Sequence, residues 1–91
     1  MWKPKSSQGV ASLAMTLRML QLHEPLPVRA APRVIAAERL RRGAPVRLRA
    51  VRYHLAYALK VGLVEVITID GKICYRLTEK GRSFLATLLG E

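Results

Sequence analysis

Apolar side chains recur every three or four residues early in the chain, which is the spacing of one face of an α-helix. We expect helix 1 to run from about Gly9 to Leu22. Its apolar stripe consists of Val10, Leu13, Leu17 and Leu20, and a second apolar side consists of Met15, Met19 and Leu22. Pro25 and Pro27 end the helix, because proline cannot donate to the helical hydrogen-bond ladder. A helix that is apolar on two sides is either deeply packed or shared with a partner.

A second helix is predicted between Pro32 and Gly43. Proline suits the first turn of a helix, and glycine readily takes the left-handed conformation that ends one. We expect Val34, Ile35 and Leu40 to face the core. The charged residues of this helix are expected to face solvent: Glu38, Arg39, Arg41 and Arg42.

The third helix is predicted over about 47–61, after a short link in which Val46 fills the angle between two helices. Its inner stripe is predicted to be Leu48, Val51, Leu55 and Leu59. The opposite side carries Arg49, Ala50, Tyr53, Tyr57 and Lys60, and Arg47 and Arg52 flank the inner stripe. One side of helix 3 is therefore polar and basic.

From Leu63 onward the pattern changes to the two-residue period of a β-strand. Asp70-Gly71 predicts a type I′ hairpin turn, because both central positions of that turn need a positive φ. The turn sets a register in which the pairs Val64–Leu77, Val66–Tyr75 and Thr68–Ile73 share the face assigned to the core. The pairs Glu65–Arg76, Ile67–Cys74 and Ile69–Lys72 share the other face, and we expect an ion pair between Glu65 and Arg76. The apolar residues on that outer face indicate a contact with helix 1, the N-terminal arm or a second subunit.

A C-terminal helix follows the hairpin, with Thr78 as its N-cap and Gly90 at its end. Its apolar face consists of Phe84, Leu85, Leu88 and Leu89. Residues 1–8 are polar, basic and aperiodic, and we expect them to form a flexible arm ahead of a single domain at 9–91. Three helices, a two-stranded wing hairpin and a C-terminal helix make an α+β fold of the winged helix-turn-helix type.

The charge of the chain indicates a polyanionic partner. Sixteen Lys and Arg against six Asp and Glu give a formal net charge of +10, and eleven of the sixteen are Arg. Nucleic acid is the first candidate partner, since the planar Arg fork suits phosphates and guanine edges. An anionic membrane surface is the second. No apolar stretch reaches the ~18 residues of a membrane span, and Arg18 interrupts the only early apolar run. We expect a cytoplasmic protein without a membrane association, and the lack of Asn is consistent with a thermophilic source.

The sequence contains no pattern typical of catalysis or of metal or cofactor binding. The single cysteine, Cys74, excludes an internal disulfide and a Cys-rich zinc site. His23 and His54 are lone histidines that could complete a metal site only with distant carboxylates, and we expect His54 to be a packing or capping residue. We therefore predict a protein that is not an enzyme and has no cofactor.

Basic residues concentrate on helix 3 and just before it, where they predict a DNA-binding surface. A helix that reads bases needs small or polar residues near its N-terminus and cations for phosphates. The predicted DNA-binding residues are Arg41, Arg42, Arg47, Arg49, Ala50, Arg52, Tyr53, Tyr57, Lys60 and, at the wing tip, Lys72. The alternative is that these charges only solubilise the surface.

Residues 46–85 resemble archaeal and bacterial winged helix-turn-helix transcriptional regulators. The matching segments are Tyr53-His54-Leu55, Gly62-Leu63-Val64-Glu65, Asp70-Gly71-Lys72 and the run from Tyr75 to Arg82. The GLVE and YRLTEKG stretches are similar to those of the arsenic-repressor-type and multiple-antibiotic-resistance-type families. The resemblance implies that helix 3 is the recognition helix and that Arg49, Ala50 and Tyr53 contact bases. The metal-ligand cysteines of the arsenic sensors are absent, so metal sensing is not implied.

Three hypotheses follow for the function. The first is a DNA-binding transcriptional regulator that forms a homodimer through helices 1 and 4 and binds a palindromic site in double-stranded DNA. The second is a chromatin-like module that binds DNA or RNA without sequence preference. The third is a winged-helix protein-interaction module within a larger nucleic-acid machine.

Overall fold

The computed structural model describes residues 2–90, which form four α-helices and three β-strands. In chain order these are α1 (Ser7–His23), β1 (Leu26–Pro27), α2 (Ala31–Arg41), α3 (Leu48–Lys60), β2 (Val64–Ile69), β3 (Lys72–Leu77) and α4 (Glu79–Leu89). All four predicted helices and both predicted hairpin strands are present. The predicted arm begins at residue 1 and the predicted domain ends at residue 91, and both of these residues lie outside the described range.

Helix α1 lies at the centre of the core. It contacts α2, α3, α4 and β3. Other elements supply the residues around it: Ile35 from α2, Val51, Leu55 and Ala58 from α3, Val64 and Leu77 from the hairpin, and Leu85 from α4. Both apolar sides of α1 contribute to this core, because Met19 is buried together with Leu13, Leu17 and Leu20. Most of the apolar surface of α1 is therefore covered within one chain.

The helix ends follow the capping residues in the sequence. The Gly9 amide donates to the Ser6 hydroxyl at 3.2 Å, so α1 begins two residues earlier than predicted. The Gly81 amide donates to the Thr78 hydroxyl at 3.0 Å, which confirms Thr78 as an N-cap. Gly43 and Gly90, which follow α2 and α4, have φ of 74° and 70°, and such left-handed residues commonly end helices.

The hairpin has the predicted register in all six cross-strand pairs, from Val64–Leu77 to Ile69–Lys72. Asp70 and Gly71 have φ of 50° and 78°, as the type I′ turn requires. The Arg76 side chain donates from Nε and Nη2 to one oxygen of Glu65, at 3.0 and 2.9 Å. The predicted ion pair is therefore confirmed.

The predicted two-stranded wing hairpin is confirmed as β2–β3, and β1 adds a third strand that was not predicted, in the order β1-β3-β2. Leu26 lies opposite Tyr75, and Pro27 lies opposite Cys74. The Val28 amide then donates to the Ile73 carbonyl at 2.9 Å. A two-residue strand that contains proline is too short to produce an alternating pattern, so it could not be predicted from the sequence.

The face assignment of the hairpin is correct only at its base. Val64 and Leu77 are buried, but Ile73 at the far end of the same face is 57% exposed. The hairpin extends beyond the helices that cover its base, so the tip has no core to face. On the other face, Cys74 is buried rather than exposed.

The predicted inner faces of α2 and α3 are correct only in part: Ile35, Val51 and Leu55 are buried. Leu40 and Leu59 were expected inside, yet they are 65% and 43% exposed. The buried positions instead include Glu38 and Arg39 on α2, both expected in solvent, and His54 on α3. Arg39 and His54 take these places because each has hydrogen-bonding partners on another element, whereas Glu38 is covered beside Arg41, Arg42 and His23. A helical wheel cannot show such contacts.

Candidate nucleic-acid interface

The turn that leads into α3 is held by the buried guanidinium of Arg39. Its Nε donates to the Ala44 carbonyl at 3.0 Å, and the Ala44 amide donates back to the Arg39 carbonyl at 2.9 Å. Its Nη1 lies 3.0 Å from both the carbonyl and the hydroxyl of Ser12, and 3.1 Å from the Thr16 hydroxyl. Burial lowers the pKa of Arg39. One side chain thus joins α1, α2 and the turn before α3.

His54 links α3 to the same group. Its Nδ1 lies 2.7 Å from the Thr16 hydroxyl oxygen. Since that oxygen accepts from Arg39, the Thr16 hydroxyl has its own proton to donate, and a neutral His54 accepts it at Nδ1. Burial, and secondarily the charge of Arg39, lower the pKa of His54 to about 4. The prediction that His54 is a packing residue is confirmed, and it fixes the rotation of α3 about its axis.

With its inner side fixed in this way, α3 presents a basic outer face. The exposed residues on the helix and its N-cap are Arg47, Arg49, Arg52, Tyr53, Ala56, Leu59 and Lys60. Arg49 donates from Nε to the Tyr53 hydroxyl at 2.8 Å, and its guanidinium carbon lies 5.4 Å from the centre of that ring. This contact restrains both side chains while the two terminal nitrogens of Arg49 remain available to a ligand.

Two predicted DNA-binding residues lie at the edge of this face. Ala50 and Tyr57 are half-buried. The Tyr57 ring meets the Trp2 ring edge to face, with centroids 5.5 Å apart. Trp2 also lies 4.9 Å from the His54 ring. Tyr57 is therefore packed against the N-terminal arm, while Tyr53 is accessible on the outer face.

The cations at the end of α2 already have an acidic partner. The Glu38 carboxylate, which is largely buried, contacts Arg41, and it lies 3.1 Å from Arg42 Nε. His23 Nε2 is 3.7 Å from the same carboxylate. Arg41 and Arg42 remain exposed, but Glu38 neutralises part of their charge.

The comparisons with known proteins bear on the fold. No protein-family model matches the sequence, and no curated protein does. Among solved structures, the chain is similar to the crystal structure of SSV1 F-93, with a TM-score of 0.65 and 22% sequence identity. The similarity covers 85% of this chain and 77% of that chain. The fold is a winged helix. At this identity the likeness establishes the fold alone.

In this winged helix, the β2–β3 hairpin is the wing and α3 is the helix that precedes it. Lys72 is exposed at the wing tip. It lines a cleft together with Arg29, from the turn between β1 and α2. The hydrogen bond between Val28 and Ile73 closes one side of that cleft. Sequence reasoning missed Arg29, because its place beside the wing depends on the unpredicted strand β1.

The cations of the winged helix divide into paired and unpaired groups. Glu65 pairs with Arg76, Glu24 pairs with Arg82, and Glu38 pairs with two arginines of α2. Within residues 2–90, the cations with neither an acidic partner nor a hydrogen bond are Lys3, Lys5, Arg29, Arg33, Arg47, Arg52, Lys60 and Lys72. Arg33, in the first turn of α2, was also missed by sequence reasoning, because only the acidic pairing of its neighbours distinguishes it.

The described residues contain no cluster of three or more His, Cys, Asp or Glu that could hold a metal ion. None of the helices within residues 2–90 has the length and apolarity needed to cross a membrane.

Proposed function

We propose that this protein is a cytoplasmic transcriptional regulator that binds double-stranded DNA with α3 in the major groove. The observation that carries this proposal is the outer face of α3. Arg47, Arg49 and Arg52 project from its N-terminal half without an acidic partner, and the buried group of Arg39, Thr16 and His54 fixes the helix behind them. A rigid helix with unpaired cations at its N-terminal end suits both base edges and phosphates.

The side chains of this face have different proposed roles. Arg49 and Tyr53 restrain each other and point outward together, so we assign them to base edges. Ala50 is small enough to let the helix approach the bases closely. We assign Arg47, Arg52 and Lys60 on α3, with Lys72 on the wing, to phosphates, because each is exposed and unpaired. Arg41 and Arg42 contribute less, since Glu38 opposes their charge.

We further propose that the protein is a homodimer. Leu88 and Leu89 of α4 are exposed, and Leu88 lines a groove with Phe84. Phe84 also lines a neighbouring groove with Val10 of α1. These residues support a contact through α4 and the N-terminal end of α1, whereas Leu13, Leu17, Met19 and Leu20 of α1 are buried within the chain. A two-fold pair would place two α3 helices about 34 Å apart, in successive major grooves of a palindromic site.

Selection of bound duplexes from a random DNA pool, at ~150 mM salt, tests the proposal. A regulator should enrich one palindromic motif, whereas a chromatin-like module should bind tightly and enrich none. The slope of log K against log salt is the companion measurement. Each neutralised phosphate adds about 0.9 to it, and we expect roughly four to six contacts per subunit. A slope near zero on duplex DNA would contradict nucleic-acid binding. It would favour the hypothesis of a protein-interaction module instead.

Three alanine variants separate base reading from phosphate binding. Arg49→Ala and Tyr53→Ala should each weaken specific binding by ~1–3 kcal/mol while the fold is retained. Lys72→Ala should weaken binding less than either of these changes. The loss of affinity should be the same on the selected site and on random duplex. If Lys72→Ala weakens specific binding more than Arg49→Ala does, the wing rather than α3 reads the sequence.

A further inference from the structure

We propose that the N-terminal arm is a second phosphate-binding element, which extends the outer face of α3 at its C-terminal end. The inference rests on the proposed function and adds a site to it. Lys3 of the arm and Lys60 of α3 line one cleft, whose other walls are Trp2, Tyr57 and Val61. We call this group the arm cleft.

The arm is attached to the domain through Trp2. Its indole packs against His54 and Tyr57, with ring centroids 4.9 and 5.5 Å apart. Pro4 is also packed. It lies against the first turn of α1, so close that a Cβ on Gly9 would be 3.4 Å from it. Trp2 and Pro4 are both half-buried, while Lys3 between them is exposed. Two anchored neighbours thus fix the backbone from which Lys3 projects.

The charges of the arm cleft favour an anion. Neither Lys3 nor Lys60 has an acidic partner within residues 2–90, and both side chains are exposed. Lys80, which lies nearby, donates to the Val61 carbonyl at 2.7 Å and adds no negative charge. Two ammonium groups beside apolar ring surfaces, with no counter-charge, attract a phosphate oxygen more strongly than two fully solvated ones would.

The position of Lys60 identifies the anion as the nucleic-acid backbone. Lys60 and Arg49 are eleven residues apart on the same exposed face, which is roughly 16 Å along a helix axis. The major groove of B-DNA is about 12 Å wide. When the N-terminal half of α3 contacts base edges, Lys60 therefore lies at the edge of the groove, where the phosphates are. The arm cleft places Lys3 beside the same strand.

Neutral variants of the arm lysines provide the main test. Lys3→Gln and Lys60→Gln should each lower the salt slope on duplex DNA by about 0.9 and weaken binding roughly fivefold at ~0.15 M salt. The loss should be equal on the selected site and on random duplex. Lys5→Gln is the matched control, because it removes one charge from the same arm at a residue that does not line the arm cleft. Equal slopes for Lys5→Gln and Lys3→Gln would overturn the assignment.

The anchoring role of Trp2 is tested without any change of charge. Trp2→Ala should lower the salt slope and the affinity as Lys3→Gln does, whereas Trp2→Phe should retain most of both. Circular dichroism and thermal unfolding establish that each variant is folded. If Trp2→Ala is unfolded, the lysine variants decide the question alone. A folded Trp2→Ala with an unchanged slope would contradict the anchor.

Trp2 is also the single tryptophan of the chain, so its fluorescence reports on the arm cleft directly. Saturating duplex DNA should shield Trp2 from acrylamide quenching, and millimolar inorganic phosphate should not, because free phosphate lacks the contacts along α3. Shielding by inorganic phosphate alone would overturn the assignment to the nucleic-acid backbone. If duplex binds and depends on Arg49 while Trp2 quenching is unchanged, only the arm cleft fails. If no duplex binds, the proposed function itself fails.

Discussion

Arg39 is the residue on which the placement of α3 depends most directly. It satisfies carbonyl and hydroxyl oxygens on α1 and in the turn before α3, and it is buried without a carboxylate partner. A charge in such a place is tolerated because several good acceptors replace its water. Its neighbours on α2 show the contrast, since Arg41 and Arg42 bind Glu38 from exposed positions.

Truncation of Arg39 should therefore lower the free energy of unfolding much more than truncation of a nearby arginine. Arg39→Ala removes the donor to the buried Thr16 hydroxyl and to half-buried oxygens of Ser12 and Ala44, and we expect the free energy of unfolding to fall by ~2–4 kcal/mol. Arg42→Ala removes an exposed ion pair on the same helix and should cost ~0–1 kcal/mol. Chemical denaturation of the two variants side by side measures the difference. Similar losses would show that the guanidinium of Arg39 has no special structural role.

The buried His54 predicts a loss of stability in acid. Its pKa is lowered from 6.5 to about 4 in the fold, so folding favours the neutral ring. The stabilisation is complete above pH 6.5 and is lost as the pH falls toward 4. We expect the free energy of unfolding to decrease by about 2 kcal/mol between pH 7 and pH 5 from this group. His54→Gln, which keeps an acceptor for Thr16 but does not titrate, should remove that part of the pH dependence. An unchanged pH profile in this variant would assign the acid sensitivity elsewhere.

At the scale of the elements, α4 is joined to the start of the wing by a very close backbone approach. A Cβ on Gly81 would lie 2.0 Å from the Leu63 carbonyl oxygen, which is much shorter than any non-bonded contact that a Cβ atom makes. The Thr78 hydroxyl donates to the Gly62 carbonyl at 2.6 Å in the same region. Glycine at position 81 is what lets α4 pack directly against Leu63, in the link between α3 and β2.

Replacement of two helical glycines by alanine should consequently change the free energy of unfolding in opposite directions. Gly81→Ala forces α4 away from Leu63 and should lower the free energy of unfolding by ~1–3 kcal/mol. Gly9→Ala lies in α1, where the added Cβ meets Pro4 at an ordinary 3.4 Å, and it should raise stability by up to ~1 kcal/mol. Thermal unfolding of both variants checks the pair. Gly81→Ala with wild-type stability would show that α4 can shift without cost.

These elements also show which parts of the structure could be predicted from the sequence. The hairpin register and both ends of α4 were predicted correctly, because Asp70-Gly71, Thr78 and Gly90 act through local backbone chemistry. The inner face of α3 was predicted only in part. Leu59 is exposed, and His54 is buried through a hydrogen bond to Thr16, thirty-eight residues away in the chain. Of the candidate site, the exposed positions on α3 were found by pattern. The roles of Arg29 and Trp2 were not, since each depends on a contact between distant segments.

At the scale of the whole molecule, the few acidic residues determine where positive charge is left unpaired. Glu24, Glu38 and Glu65 each bind arginines, so the cations left unpaired lie mainly on α3, the start of α2, the wing tip and the arm. A net charge of +10 disfavours self-association through electrostatics. A homodimer must therefore depend on apolar contact.

Dimer formation should be lost when the exposed leucines of α4 become charged. Leu88→Glu combined with Leu89→Glu should give a ~10 kDa monomer in sedimentation equilibrium at micromolar concentration, where the wild type is expected at twice the 10.2 kDa of one chain. Leu40→Glu is the control, because Leu40 is an exposed leucine on α2, outside the proposed interface. A wild-type monomer, both free and on DNA, would remove the dimer and the palindromic site together.

The hydrogen-bonded group of Ser12, Thr16, Arg39 and His54 has a consequence for how this chain can change over evolutionary time. Replacing Thr16, Arg39 or His54 singly by an apolar residue removes a hydrogen bond from a buried polar atom of another member. A lineage that lost one of these three residues would carry a destabilised protein until compensating substitutions arose. Related sequences should therefore keep these three residues or replace them together. The outer face of α3 is free of that constraint, so under the proposed function the DNA sequence that it would recognise can diverge while the inner side of the helix stays in place.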